Sequence, residues 1–201
     1  MAKAPIDFYF DFSSPYGYIA ATRIDEIAAR HGREVAWRPI LLGVVFKTTG
    51  MGPLPSVPLK GAYSLRDFER SARLYGVAFK MPVAFPFNAI TPSRMFYWLE
   101  GRDRGLARRF GLAAFQAAFP GQQDITKAEV CADIAANLGV KREEALAAPN
   151  DPAVKERLRV EVEKGIAAGV FGSPFIVVDG EPFWGADRLD QVDRWLQTGG
   201  W

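Results

Sequence analysis

The stretch Ile6-Asp7-Phe8-Tyr9-Phe10-Asp11-Phe12-Ser13-Ser14-Pro15-Tyr16-Gly17 decides how this chain folds. Up to Phe12, aromatic and aliphatic residues alternate with acids as they do in a strand. From Pro15 the apolar positions Tyr16, Ile19, Ala20, Ile24, Ile27 and Ala28 recur at helical spacing. A strand therefore runs straight into a helix, read as one element from Pro15 to Arg30. Ser14 stands at the N-cap and Pro15 at the first helical position, where a missing N–H costs nothing. Such a start presents free N–H groups and the positive end of a macrodipole, an environment that stabilises an anion. Ser14 thus has two readings, a plain helix cap and a donor to an anion held there.

Working outward, Glu34-Val35-Ala36-Trp37-Arg38 reads as a second strand ended by Pro39, which closes a right-handed parallel βαβ unit. Leu41 to Lys47 leads out of it, and Thr48 to Gly61, rich in Gly and Pro, reads as an irregular functional loop. The middle is helical. Ser64 and Asp67 read as a capping box opening a helix to about Tyr75, followed by an irregular run from Met81 to Asn88. Helices are then expected from Thr91-Pro92 to Gly101, from Leu106 to Phe119, from a Thr126/Glu129 cap to Gly139, around Arg142 to Ala148, and from Asp151-Pro152 to Ala168-Gly169. Strand character returns at Pro174 to Asp179. Asp179-Gly180 signals a hairpin into Glu181 to Trp184, and Pro182 favours an edge position. Asp187 is read as the cap of a last helix with Leu189, Val192, Trp195 and Leu196 on one side. The expected division is one domain from residues 1–40 and 170–201, with 41–169 as a helical insertion over its sheet.

Composition narrows the function. Hydrophobic residues at 49% and charged ones at 24% describe a folded chain rather than a disordered one. A net charge of only +2 argues against nucleic acid or a membrane surface as partner. Met1-Ala2-Lys3-Ala4-Pro5 lacks the basic and apolar regions of a leader, and no apolar run approaches a membrane span, so a cytoplasmic protein is expected. The lone cysteine, Cys131, lies beside Val130 and Ile134 and reads as a small buried hydrophobe; no internal disulfide is possible and no metal ligation is expected. The lone histidine, His31, falls at a helix end before Gly32, where it complements the dipole; this argues against a Ser-His-Asp triad. Basic residues outnumber acids from Lys60 to Phe110, and the reverse holds from Asp124 to Arg194. A solvated face explains such asymmetry, and so does a positive wall facing a small anion.

The order βαβ, helical insertion, then a ββα half introduced by Gly172-Ser173-Pro174 resembles the thioredoxin fold in its DsbA-like version, an α/β fold with a large all-helical insertion. The resemblance implies a cis peptide bond before Pro174. Redox members place Cys-x-x-Cys at the start of the first helix. Here the matching residues are Ser14-Pro15-Tyr16-Gly17, and without sulfur that site has no disulfide exchange. Asp11-Phe12-Ser13-Ser14-Pro15-Tyr16, Phe171-Gly172-Ser173-Pro174-Phe175 and Phe183-Trp184-Gly185-Ala186-Asp187-Arg188-Leu189 together resemble the 2-hydroxychromene-2-carboxylate isomerases and the related kappa-class glutathione transferases, over nearly the whole chain.

What the resemblance implies is glutathione as cofactor, with Ser14 hydrogen-bonded to its sulfur. It further implies Ser173, beside cis-Pro174, pairing with the cysteinyl part like an added strand. Gly185, Ala186 and Asp187 would meet the γ-glutamyl end, with Asp187 taking its ammonium, and Trp184 would contact glutathione. Against these stand plain readings: a turn residue for Ser173, core packing for Trp184, an N-cap for Asp187. By the same resemblance Lys47 lies near a substrate carboxylate or phenol oxygen, although loop lysines are usually only solvated. Arg94 is a second candidate for the carboxylate, and Phe87 and Asn88 either line an aromatic pocket or join the core. One departure is that Met51 follows Gly50, where kappa-type relatives carry asparagine. The implied activity is a glutathione-dependent isomerisation of a small aromatic carboxylate by a homodimer. A kappa-like transferase and a non-catalytic thiol or peptide binder are the alternatives.

Overall fold

Strand β1 (Ile6–Phe10) lies inside a four-stranded sheet of order β2-β1-β3-β4. It runs parallel to β2 (Val35–Pro39) and antiparallel to β3 (Phe175–Val178), and β3 continues antiparallel into the edge strand β4 (Glu181–Trp184). The computed structural model describes residues 4–201; Met1 to Lys3, part of the start read as lacking a leader, lie outside the described residues. Asp179 and Gly180 have φ of 52° and 93°, the left-handed pair that a two-residue hairpin requires. The Ser173–Pro174 bond is cis as expected, and Phe85–Pro86 is cis as well.

Between the strands run α1 (Pro15–Ala21), α2 (Ile24–Arg30), α3 (Leu42–Thr49), α4 (Lys60–Leu74), α5 (Ile90–Glu100), α6 (Arg104–Ala118), α7 (Ala128–Asn137), α8 (Arg142–Ala147) and α9 (Pro152–Ala167), with α10 (Leu189–Thr198) after β4. Several expectations are corrected. The helix read from Pro15 to Arg30 breaks at Thr22-Arg23, where the Thr22 hydroxyl donates to the Ile19 carbonyl at 2.8 Å. Leu42–Thr49 is helical, and α4 starts at Lys60, so Ser64 caps nothing and donates instead to the Gly61 carbonyl. Thr126 turns to Asp124, leaving α7 without a side-chain cap. Asp187 lies in a 3-10 turn, Ala186–Arg188, and does not cap α10. His31 ends α2 as read and also reaches Asp193 of α10 at 2.7 Å.

Alternation along β1 sends Phe8 and Phe10 to one face of the sheet, where Phe12 extends the row. All three are fully buried, and Phe10 meets Phe96 of α5 and Phe115 of α6 at ring separations of 6.0 and 5.5 Å. Gly111 lets α6 approach this face closely, since a Cβ there would lie 3.2 Å from the Trp37 ring. On the opposite face Tyr9 meets α9 at Gly165, and Asp7 accepts from Arg38 at 2.6 Å. Arg38 also pairs at 3.6 Å with Glu161 of α9, which is 3% exposed and reached by Lys164 and Arg157. With helices on both faces the sheet is rigid, and the ends of β1 and β3 become fixed points for the turns that follow them. No described helix is long and apolar enough to cross a membrane.

Candidate functional site

The turn after β1 and the turn before β3 meet at one point. Ser14 caps α1 from an extended backbone, its Oγ accepting the Gly17 N–H at 3.0 Å and donating to the Ser173 carbonyl at 3.0 Å. Ser173 Oγ in turn accepts the Asp11 N–H at 2.9 Å. The two segments touch so closely that a Cβ on Gly17 would fall 2.8 Å from Ser173 Oγ and 3.1 Å from Ser14 Cβ. Gly17 is therefore required by space rather than by its backbone angles.

Above this junction opens a cleft of about 1490 Å³. Ser14, Ser173, Trp184, Gly185, Ala186 and Asp187 line it. Trp184 is half exposed and rests edge-on against Phe171 with ring centroids 4.9 Å apart. Asp187 is exposed and pairs with Arg188 at 3.2 Å. Lys47, Phe87 and Asn88 line the cleft as well, so the structure brings these sequence candidates to one place. Lys47 is not in a loop: it lies in the last turn of α3, where a cation complements the helix dipole. Pro174 holds the turn but does not line the cleft, its carbonyl accepting the Gly185 N–H at 3.1 Å.

Arg94 is the exception. It sits on α5 away from the cleft lining and donates to the Pro149 carbonyl at 3.2 Å, and burial depresses its pKa. The expectation that it meets a substrate carboxylate is corrected, because the basic segment it belongs to is helical and turns this residue toward the 3-10 turn at Ala148–Asn150.

Other cleft residues were not singled out from the sequence. Tyr16, two residues past Ser14, donates to Asp67 of α4 at 2.5 Å. Burial and the Asp67 carboxylate together push the Tyr16 phenol far up, so it stays protonated at neutral pH. Asp67 also pairs with Arg70. Its spacing from Ser64 had the look of a capping box, which hid a contact spanning 51 residues of sequence. Asp11, 3% exposed, accepts from Ser13 N, Ser13 Oγ and Leu42 N, each at 2.7 Å. Burial raises its pKa, and the bonds from Leu42 and Ser13 oppose the rise. The acid three residues before Ser14 was the available signal.

Chemically, the cleft brings together a hydroxyl at a helix start, aromatic side chains and a cation. Cys131 is remote, fully buried and hydrogen-bonded to the Ile125 carbonyl, with its thiol pushed up to about 12 by burial.

The family described as DSBA-like thioredoxin domain matches residues 5–197. A 2-hydroxychromene-2-carboxylate isomerase of Sphingobium xenophagum is 30% identical over 196 residues, covering 95% of this chain and 97% of that protein. Glutathione S-transferase kappa 2 of Caenorhabditis elegans is 28% identical, covering 95% of this chain and 91% of that one. The solved structure of a 2-hydroxychromene-2-carboxylate isomerase superposes with a TM-score of 0.87 at 26% identity, covering 96% of this chain and 95% of that one. With the sulfur-free Ser14 start, the cis turn at Pro174 and these matches along nearly its whole length, the chain belongs to the DsbA-like thioredoxin family, in the group of 2-hydroxychromene-2-carboxylate isomerases and kappa-class glutathione transferases.

Proposed function

We propose that this protein is a glutathione-dependent isomerase of aromatic acids of the 2-hydroxychromene-2-carboxylate type. The observation that carries the reading is Ser14: a hydroxyl at the start of α1, hydrogen-bonded on both sides and opening on a cleft that also holds Lys47. Glutathione, when bound, would supply a thiolate able to add reversibly to a conjugated carbon, leaving single-bond rotation free before it departs.

The residues present fit that group. A cleft of about 1490 Å³ exceeds the roughly 300–1,000 Å³ of a pocket for one drug-sized ligand, so thiol and substrate have room together. Ser14 Oγ would turn its proton from the Ser173 carbonyl to the sulfur, a charge-assisted bond stronger than the neutral one it replaces. Ser173, released from that bond, keeps its carbonyl as a backbone acceptor beside the cysteinyl amide. Trp184 would cover the tripeptide, and Asp187 would take its ammonium. Lys47 would face the substrate carboxylate or the oxygen on which negative charge develops.

The test joins calorimetric titration of reduced glutathione with turnover of 2-hydroxychromene-2-carboxylate. Tight binding and isomerisation without loss of free thiol, both weakened in Ser14→Ala, are the expected results; no glutathione binding by the unaltered protein would refute the reading. Permanent transfer of glutathione to an electrophile is the second reading, supported by the 28% identity to glutathione S-transferase kappa 2, although Met51 stands at the cleft where kappa-type relatives carry asparagine. Consumption of free thiol during turnover separates the two.

A further inference from the structure

Asp11 is the one buried carboxylate among the described residues lining the cleft, and the activity proposed above does not use it. Its surroundings are built in detail. Oδ1 takes both donors of Ser13, the residue before the N-cap serine, and Oδ2 takes the N–H of Leu42, the first residue of α3. That helix has no side-chain cap of its own, because its N-cap is Leu41. Asp11 therefore supplies the missing cap from the end of the neighbouring strand. Its main chain adds two more links, the carbonyl accepting from Ser14 N and the amide donating to Ser173 Oγ, both at 2.9 Å. The Ser13 and Leu42 amides can only donate, so they favour the ionised carboxylate.

We propose that the Asp11 carboxylate is a positioning residue that joins the Ser13-Ser14 turn to the start of α3, fixing the Lys47 wall of the cleft relative to Ser14. This rests on the glutathione reading above. Two consequences follow. In the ionised form that those amides favour, the carboxylate is a negative charge near the place where a thiolate is held, so it restrains how far the thiol pKa falls. It also carries the order of α3: without it the Leu42 N–H is orphaned at a helix end. The other charged groups that line the cleft are Lys47, Lys60, Asp67, Arg70, Asp187 and Arg188, and they are unaltered in the variants below.

The test uses two variants of the full chain. Asp11→Asn keeps an acceptor for Ser13 but turns an NH2 against the Leu42 N–H and removes the charge. Leu42→Pro removes the same N–H and keeps the charge. Proline is tolerated at a first helical position, and Leu41 before it is already extended at φ −115°, ψ 102°. The readouts are the pKa of bound glutathione, from thiolate absorbance, and hydrogen exchange of the α3 amides. Both variants are expected to speed exchange in α3 on the order of tenfold or more, the loss of one hydrogen bond. Only Asp11→Asn should lower the bound thiol pKa. A bound thiol pKa in Asp11→Asn equal to or above that of the unaltered protein, or α3 exchange unchanged in both variants, would overturn the inference while leaving the glutathione reading intact. Absence of glutathione binding by the unaltered protein would overturn both.

Discussion

The Ser14 hydroxyl donates to the Ser173 carbonyl across 3.0 Å, tying the start of the first helix to the cis turn before the third strand although 159 residues separate them. Replacing Ser14 by alanine removes both this bond and the N-cap. A cost of about 1 kcal/mol in stability is expected from the cap, with the bound glutathione thiol returning toward its ordinary value of about 8.5. Urea denaturation measures the first and thiolate absorbance against pH the second.

Gly17→Ala tests how tightly the junction closes. Its added methyl would approach Ser173 Oγ to 2.8 Å and must displace Ser14 or Ser173. Glutathione affinity should fall by about tenfold or more, the scale of a charge-assisted bond moved out of line. A matched calorimetric titration of both proteins checks this.

Lys47 and Arg94 separate on location. Lys47→Ala should lower kcat/KM on an aromatic acid by about ten- to a hundredfold, the equivalent of one lost hydrogen bond to a charged group. Arg94→Ala, which acts on a carbonyl of the 3-10 turn instead, should leave kcat/KM unchanged. Steady-state kinetics on the two variants decide it.

The Tyr16–Asp67 contact has a pH signature. Burial of Asp67 opposes ionisation, but hydrogen bonds from Tyr16 and Arg70 outweigh it and hold its carboxyl below the usual range. A folded pKa below the unfolded one gives stability that is complete above the unfolded value of about 3.9 and is lost as pH falls through the folded value. Asp67→Asn should therefore lower stability at neutral pH and flatten its decline below about pH 4. Denaturation midpoints measured across that range give the comparison.

Glu161 tests the far face of the sheet. Its buried carboxylate holds Arg38 and, with it, the β2 end of the core. Glu161→Ala takes a carboxylate from Arg38, Arg157 and Lys164 while Arg38 keeps its bond to Asp7, so it should cost about 1 kcal/mol, visible as a lowered urea midpoint with glutathione affinity retained.

Local pattern made the centre of this molecule legible and long-range contact made the rest illegible. The switch from period two to period 3.6 at Ser14 located the first strand, the first helix and the hydroxyl between them, because both periods are properties of neighbouring residues. Ser173, Trp184 and Asp187 came from family likeness. The break at Thr22-Arg23 left no trace, since the apolar spacing from Ile19 to Ile27 continues across it and only a hydroxyl turned back on Ile19 marks the kink. Leu42–Thr49 was missed because Val44-Val45-Phe46 is β-branched and aromatic, and its helix is capped by an aspartate 31 residues earlier. Ser64 and Asp67 had capping spacing, but three residues apart is also one turn inside a helix, and the partner that decides the role of Asp67 is Tyr16.

The enclosed Cys131 sets how this protein meets oxidants. Its sulfur is fully covered, bonded to the Ile125 carbonyl and held as the thiol by a pKa of about 12, while the position that redox relatives give to a reactive sulfur carries Ser14. Peroxide and alkylating reagents should therefore leave Cys131 untouched in the folded chain. On the glutathione reading the reactive sulfur would be that of the diffusible thiol and not Cys131, and mass spectrometry after iodoacetamide treatment should find Cys131 unlabelled until the chain unfolds.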